Sequence, residues 1–339
     1  MKKQILAALF LSLILSLGFE SCENPAGTRN FLAASGPILF VSNKSGTYQL
    51  YSMNQDGSNV QQLTNDHNFQ ITNAKWSPDG NKIAIMTPVI GPGPYKRKIY
   101  VMNADGTGRY LLTDGITIVQ DLLYGQVGYI GVSNRGGLVW SPDPKQLAFA
   151  SWHTSEPVPN SDVFTINVEG SDMRRVTEQN NESISGKNFH NWTVTGWTYS
   201  SQGNDMLLGD LQYLAGANHH PADSILAFGL DGKETMSRTD GWGPAVPSPD
   251  GKQIAYTVYS GQQGLEIVNA DGSEMRVIEV SVDLSTGEWF KPVCWSPDRY
   301  SILVDYRSSS RNQIFVLNAY SGAITNITPF DAGATDWRR

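Results

Sequence analysis

The sequence predicts an all-β protein, a six-bladed β-propeller whose last blade is closed by strands from both ends of the chain. Three observations predict it. Four short β-like segments repeat along the chain, two turn motifs recur in step with them, and the ends hold complementary parts of one unit.

One unit reads clearly. Trp76-Ser77-Pro78-Asp79-Gly80 precedes Lys82-Ile83-Ala84-Ile85-Met86; Lys98 to Asn103 follows, then Ala104-Asp105-Gly106 and Leu111-Leu112-Thr113. The Trp-Ser-Pro-Asp element returns at Trp140 and Trp295, weakened at Trp197 and at Pro247-Ser248-Pro249-Asp250-Gly251, and Trp337 is a sixth copy. The Asn-x-Asp-Gly turn returns at Asn54 and Asn269, with degenerate copies at Asn167, Asp231 and Asn318. The unit ends on Leu63-Thr64, Leu112-Thr113, Val176-Thr177 or Ile327-Thr328. Proline presets φ and glycine takes positive φ, so each motif is a tight turn between two strands. The segments lack a 3.6-residue period, which argues against a helical solenoid.

The ends explain closure. Trp337 has no following second strand, whereas Ile38-Leu39-Phe40-Val41 matches Ile83 to Met86 and has no preceding first strand. One blade therefore takes its first strand from the C-terminal end and three from the N-terminal end, which leaves no open edge in the ring.

Residues 1–21 read as a lipoprotein-type signal peptide. Lys2 and Lys3 precede an apolar run from Ile5 to Phe19, short for a membrane span, and Ser21 stands before Cys22. Cys22 is the expected lipidation site, 22–35 a tether and 36–339 the propeller. Cys294 then has no disulfide partner and reads as a buried, inert thiol.

These repeats resemble those of TolB-type six-bladed propellers (WD40-like β-propeller repeats), over residues 36–339. TolB-type proteins carry an α/β domain ahead of the ring, where this chain has the signal and tether. The resemblance implies the fold; a propeller as such is a platform with many uses.

With the tight turns on one face, the long connections at 114–137, 151–161, 177–196 and 210–222 fall on the other. All five histidines, His67, His153, His190, His219 and His220, are read as loop residues there. Unequal length on one face of a ring builds a binding surface. The candidate contacts are Trp152, His153, His190, Trp192, Tyr213, His219 and His220, aromatic faces and imidazoles suited to a protein or glycan. The expected function is non-catalytic binding by a monomeric, exported protein of the bacterial cell envelope, in the periplasm or at the outer membrane. It meets the membrane only through its lipid.

The alternative is a metal-dependent polysaccharide lyase. Oligogalacturonate lyases are similar in their repeats and hold a metal at the centre of a propeller, which the histidines would ligate with Arg135 or Lys187 as countercharge. They resemble a seven-bladed ring, against six units here. No cofactor is expected on the binding reading; a divalent metal in the channel mouth belongs to the alternative.

The composition narrows the rest. Nine Trp, 14 Tyr and 12 Phe are too many for a disordered chain. A net charge of −7 argues against nucleic acid as a partner while allowing one local basic site. Gly131 to Gly136 misses the nucleophile elbow because Arg135 holds the second glycine position. No phosphate-binding or dinucleotide fingerprint and no calcium loop occurs.

Overall fold

The computed structural model describes residues 36–88, 97–113, 117–120, 127–132, 137–153, 161–177, 190–200, 203–213, 223–238, 241–258, 264–280, 289–307, 312–328 and 330–338. The expected signal, Cys22 and the tether lie outside them.

The described residues form six antiparallel sheets. The chain begins with β1 (Ile38–Ser42), β2 (Gln49–Met53) and β3 (Gln61–Gln62). The next sheet is β4 (Asn73–Trp76), β5 (Lys82–Pro88), β6 (Arg97–Asn103) and β7 (Tyr110–Thr113). The third holds β8 (Thr117–Gln120), β9 (Val127–Val132), β10 (Leu138–Trp140), β11 (Gln146–His153), β12 (Ser161–Asn167) and β13 (Arg174–Arg175). Then come β14 (His190–Tyr199), β15 (Asp205–Tyr213), β16 (Asp223–Phe228) and β17 (Glu234–Arg238). The fifth is β18 (Gly241–Pro247), β19 (Gln253–Val258), β20 (Gly264–Asn269) and β21 (Arg276–Glu279). The sixth is β22 (Trp289–Trp295), β23 (Ser301–Arg307), β24 (Asn312–Asn318) and β25 (Ile324–Asn326), followed by β26 (Gly333–Trp337).

β26 pairs antiparallel with β1, Ile38 opposite Trp337 and Val41 opposite Gly333, as the repeat predicts. Six apolar cores show the ring, each filling the gap between two successive sheets. Ile83 and Ile85 pack with Leu39 and Leu50. Met86 and Val101 pack with Trp140 and Phe149. The series continues round to Leu303 and Ile314 against Phe40 and Trp337. Each blade is thus held face to face by both neighbours, as stacked sheets are.

The repeated motifs act locally and between blades. In four Ser-Pro-Asp turns the hydroxyls of Ser77, Ser141, Ser248 and Ser296 donate to Asp79, Asp143, Asp250 and Asp298 at 2.6–2.7 Å. The same hydroxyls accept the N–H groups of Lys82, Gln146, Gln253 and Ser301, five residues on, at 2.8–3.0 Å. At the unit's end Thr64, Thr177 and Thr328 accept the N–H of Leu50, Val163 and Ile314 from the neighbouring strand. The Asp-Gly turn of one blade lies on the end of the preceding one. Gly106, at φ +87°, sits so close to the Leu63 carbonyl that a Cβ would lie 2.2 Å from its oxygen, and Gly57 repeats this on Ile327. Gly170 is looser, at 3.6 Å from the Leu112 oxygen.

Two expectations are corrected. Segment 114–137, read as a loop, contains the β8–β9 hairpin, and β9 pairs with the far end of β11. Strands β11, β14 and β15 also run further than the repeat suggests, so His153, His190 and Tyr213 lie on strands instead of loops. Cross-strand partners extend these strands: Trp152 faces both Gly131 and Ser161.

Candidate functional site

The first strand of every blade lines the central channel. Because successive strands are antiparallel, the Ser-Pro-Asp and Asp-Gly turns share one face, and the starts of the first strands share the other. The two ends of the channel differ.

At the turn face the channel narrows to a cavity of about 80 Å³ walled by Trp76, Trp140, Trp197, Trp295 and Trp337, with Pro247 from the fifth blade. Indole N–H groups tie neighbouring blades together: Trp140 donates to the Lys75 carbonyl at 2.9 Å and Trp295 to the Val246 carbonyl at 3.0 Å. Trp197 turns instead to Asp205 in its own sheet. Cys294, which forms no disulfide among the described residues, is half-buried in this wall, less buried than expected.

One residue before these aromatics the six blades present Lys75, Val139, Gly196, Val246, Cys294 and Asp336. Lys75 and Asp336 belong to adjacent blades and pair at 3.6 Å. Asp336 also accepts the Trp76 N–H at 2.7 Å, so the closing strand is locked to β4 by charge and hydrogen bond together.

The opposite end opens into a funnel of about 530 Å³. Its wall includes Lys75 from β4, Arg97 from β6, Lys291 from β22, and Asp305 and Arg307 from β23. Asp305 is buried, 3.9 Å from the Lys291 ammonium, and accepts the Ala334 N–H at 3.1 Å. Burial pushes its carboxyl above the usual range, opposed by Lys291. Burial lowers Lys291 as well; Asp305 opposes this, and Arg307 and Lys75 add to it. Arg97 reaches across to the Thr72 hydroxyl beside β4.

The sequence-predicted residues divide. His190 stands opposite Tyr213, and Trp192 opposite Leu211, where β14 and β15 begin and end. Trp152 and His153 end β11 in the neighbouring blade. All five are therefore at the funnel end of two adjacent blades, and their side chains lie outside the described residues. His219, His220, Arg135 and Lys187 also lie outside. His67 is exposed between β3 and β4. Among the described residues no group of three or more His, Cys, Asp or Glu is placed to hold a metal ion. The charged funnel residues were missed. Their one sequence signal was Lys75 and Asp336 standing before two of the repeated tryptophans, where the other blades carry small or apolar residues.

No family model matches the chain. A 47-residue segment is 51% identical to the Protein TolB homolog of Chlorobium chlorochromatii; it is 14% of this chain and 10% of that relative's length. Among solved structures, TolB from Acinetobacter baumannii superposes with a TM-score of 0.57 at 17% identity, over 89% of this chain and 66% of that one. The Agrobacterium tumefaciens protein assigned as TolB gives 0.55 at 14% identity, over 88% of this chain and 91% of its own. With six sheets closed by β26 on β1, the architecture of this chain is that of a TolB-type six-bladed β-propeller.

Proposed function

We propose that this chain is a non-catalytic binding propeller of the bacterial cell envelope that docks a partner protein at the funnel end of its channel. One observation carries the reading: the turn face is filled by the repeat itself, whereas the other end opens into a funnel where the strands flanking the long connections begin and end. Rigid rings that present variable segments on one face are recognition platforms. The envelope location follows from the signal-like N-terminus and from the likeness to TolB proteins, and a lipid on Cys22 supplies the attachment. Trp152, His153, His190, Trp192, Tyr213, His219 and His220 are proposed as rim contacts. A glycan in place of a protein is the other outcome of the test.

The test is site-specific photo-crosslinking in envelope preparations. A photoreactive residue at Tyr48, exposed on the funnel wall, is compared with one at Asn81, exposed on the turn face. The expected result is a discrete protein adduct from position 48 alone. Equal labelling from both positions, or protein-free adducts that glycosidases remove, overturns it. Anchoring is checked by Cys22→Ser, which is expected to move the protein from the membrane to the soluble fraction.

A further inference from the structure

The funnel is positive in a protein that is negative overall. Among the described residues its wall carries Lys75, Arg97, Lys291 and Arg307 against Asp305, in a chain of net charge −7. Counting Asp336 beneath Lys75, and Asp331, whose charge acts on Asp305, still leaves an excess of one positive charge. The cations descend the funnel in order. Arg307 is exposed at the mouth, the Lys291 side chain is 32% exposed, and Lys75 is 16% exposed where the funnel meets the narrow end. All three of these carboxylates are already engaged by backbone donors, Asp305 by Ala334, Asp336 by Trp76 and Asp331 by Asn312.

Between the charges the wall mixes aliphatic side chains, Val41, Ile71, Met86 and Val246, with the polar groups of Thr72, Asn73, Thr193 and Asn312. Cations set among aliphatic surface and hydrogen-bonding groups suit a carboxylate carried on the short hydrocarbon stem of a peptide side chain. Arginine's planar fork matches a carboxylate through two parallel hydrogen bonds, and lysine supplies a point charge below it. The volume, about 530 Å³, lies within the range of sites that take a short segment of chain.

We propose that the funnel receives an acidic peptide segment of the partner, its carboxylates held by Arg97, Lys291 and Arg307, with Lys75 at the floor. This rests on the docking reading above and names the chemistry the docking face selects. Burial is the main cause of the lowered basicity of Lys291; Asp305 opposes it, and Arg307 and Lys75 add to it, a repulsion that an entering carboxylate offsets.

The experiment uses the purified mature protein and the peptide acetyl-Gly-Glu-Glu-Ala-Glu-Gly-amide, its all-Gln counterpart, and inorganic phosphate, measured by calorimetry. The Glu peptide is expected to bind roughly tenfold more tightly than the Gln peptide, since one charge-assisted contact is worth about that factor. Its affinity is expected to fall as NaCl rises from about 20 to about 300 mM. Arg97→Gln and Arg307→Gln are each expected to weaken it roughly tenfold, and Lys252→Gln, on the opposite face, to leave it unchanged. Equal binding of the two peptides, tighter binding of phosphate, or unaltered affinity in both Arg variants overturns the proposal. Should Arg97→Gln fail to fold, the exposed Arg307 carries the test.

The two readings fail separately. If the position-48 adduct forms equally in Arg97→Gln and Arg307→Gln proteins, docking stands and acidic recognition falls. If the Glu peptide binds as described but no adduct forms, the anion site stands and the docking reading falls.

Discussion

The two ends of the channel are built from the same six strands and could hardly differ more. At the narrow end every blade contributes the same motif position, so five tryptophans and one proline surround about 80 Å³. A few residues up the same strands, the wall holds Asn73, Gly137, Thr193, Pro244, Lys291 and Gly333, with only glycine repeated, around about 530 Å³. Where neighbouring blades must fit together, the repeat is kept. Where they diverge around a cavity, side chains take individual roles, and there the charges gather.

The largest effect should come from the seam. Removing 333–339 deletes β26, leaves β1 without its inner partner and opens the core that Trp337 fills. No cooperative thermal unfolding transition is expected, as read by tryptophan fluorescence; a sharp transition would show that five whole blades suffice. Next, Trp140→Ala at the narrow end is expected to cost about 3–5 kcal/mol by urea denaturation, whereas Asn73→Ala at the funnel should stay within about 0.5 kcal/mol. Similar costs would erase the contrast between the ends.

A smaller pair sharpens the account of the turn face. Gly106→Ala meets the Leu63 carbonyl and an unfavourable φ, and is expected to lose about 2–4 kcal/mol. Gly170→Ala has the same φ problem without the collision and should lose about 1–2 kcal/mol. Equal losses would mean that the approach between blades is less tight than described.

The smallest effect is one of pH. The Ser141 hydroxyl holds Asp143 below the usual carboxylate range, against some burial, with help from the Lys145 N–H and charge. A carboxyl depressed in the folded state stabilises fully above its ordinary value of about 4 and loses that contribution as pH falls through the depressed value. Asp143→Asn is therefore expected to cost about 1 kcal/mol at neutral pH, after allowance for solvent screening, and less in acid. A cost that stays constant or grows on acidification contradicts the assignment.

The fold was legible because its signals are local and repeated. Ser-Pro-Asp turns write themselves into adjacent residues, and Ile38 to Val41 announced its missing neighbour by matching Ile83 to Met86. The β8–β9 hairpin was overlooked although Thr117 to Gln120 and Val127 to Val132 are rich in β-branched residues, since it lies outside the repeat. The end of β11 was missed with it, because its partner there is that hairpin. The funnel charges were illegible for another reason. Lys75, Arg97, Lys291 and Arg307 occupy unlike places in their units, and only ring closure brings Lys75 of β4 near Lys291 of the sixth blade. Spacing along the chain holds no trace of that meeting. Topology sets the aromatic and histidine candidates Trp152, His153, His190, Trp192 and Tyr213 at the funnel end, since all five flank long connections.

The pairing of Ile38 with Trp337 also fixes where the polypeptide enters the wheel. Gly36, whose carbonyl accepts the Trp337 indole N–H at 3.1 Å, lies on the tryptophan side. On the lipid-anchor reading, the fourteen residues from Cys22 to Ser35 could span at most about 50 Å. Whatever precedes Gly36 thus joins the wheel at the pole opposite its basic bowl.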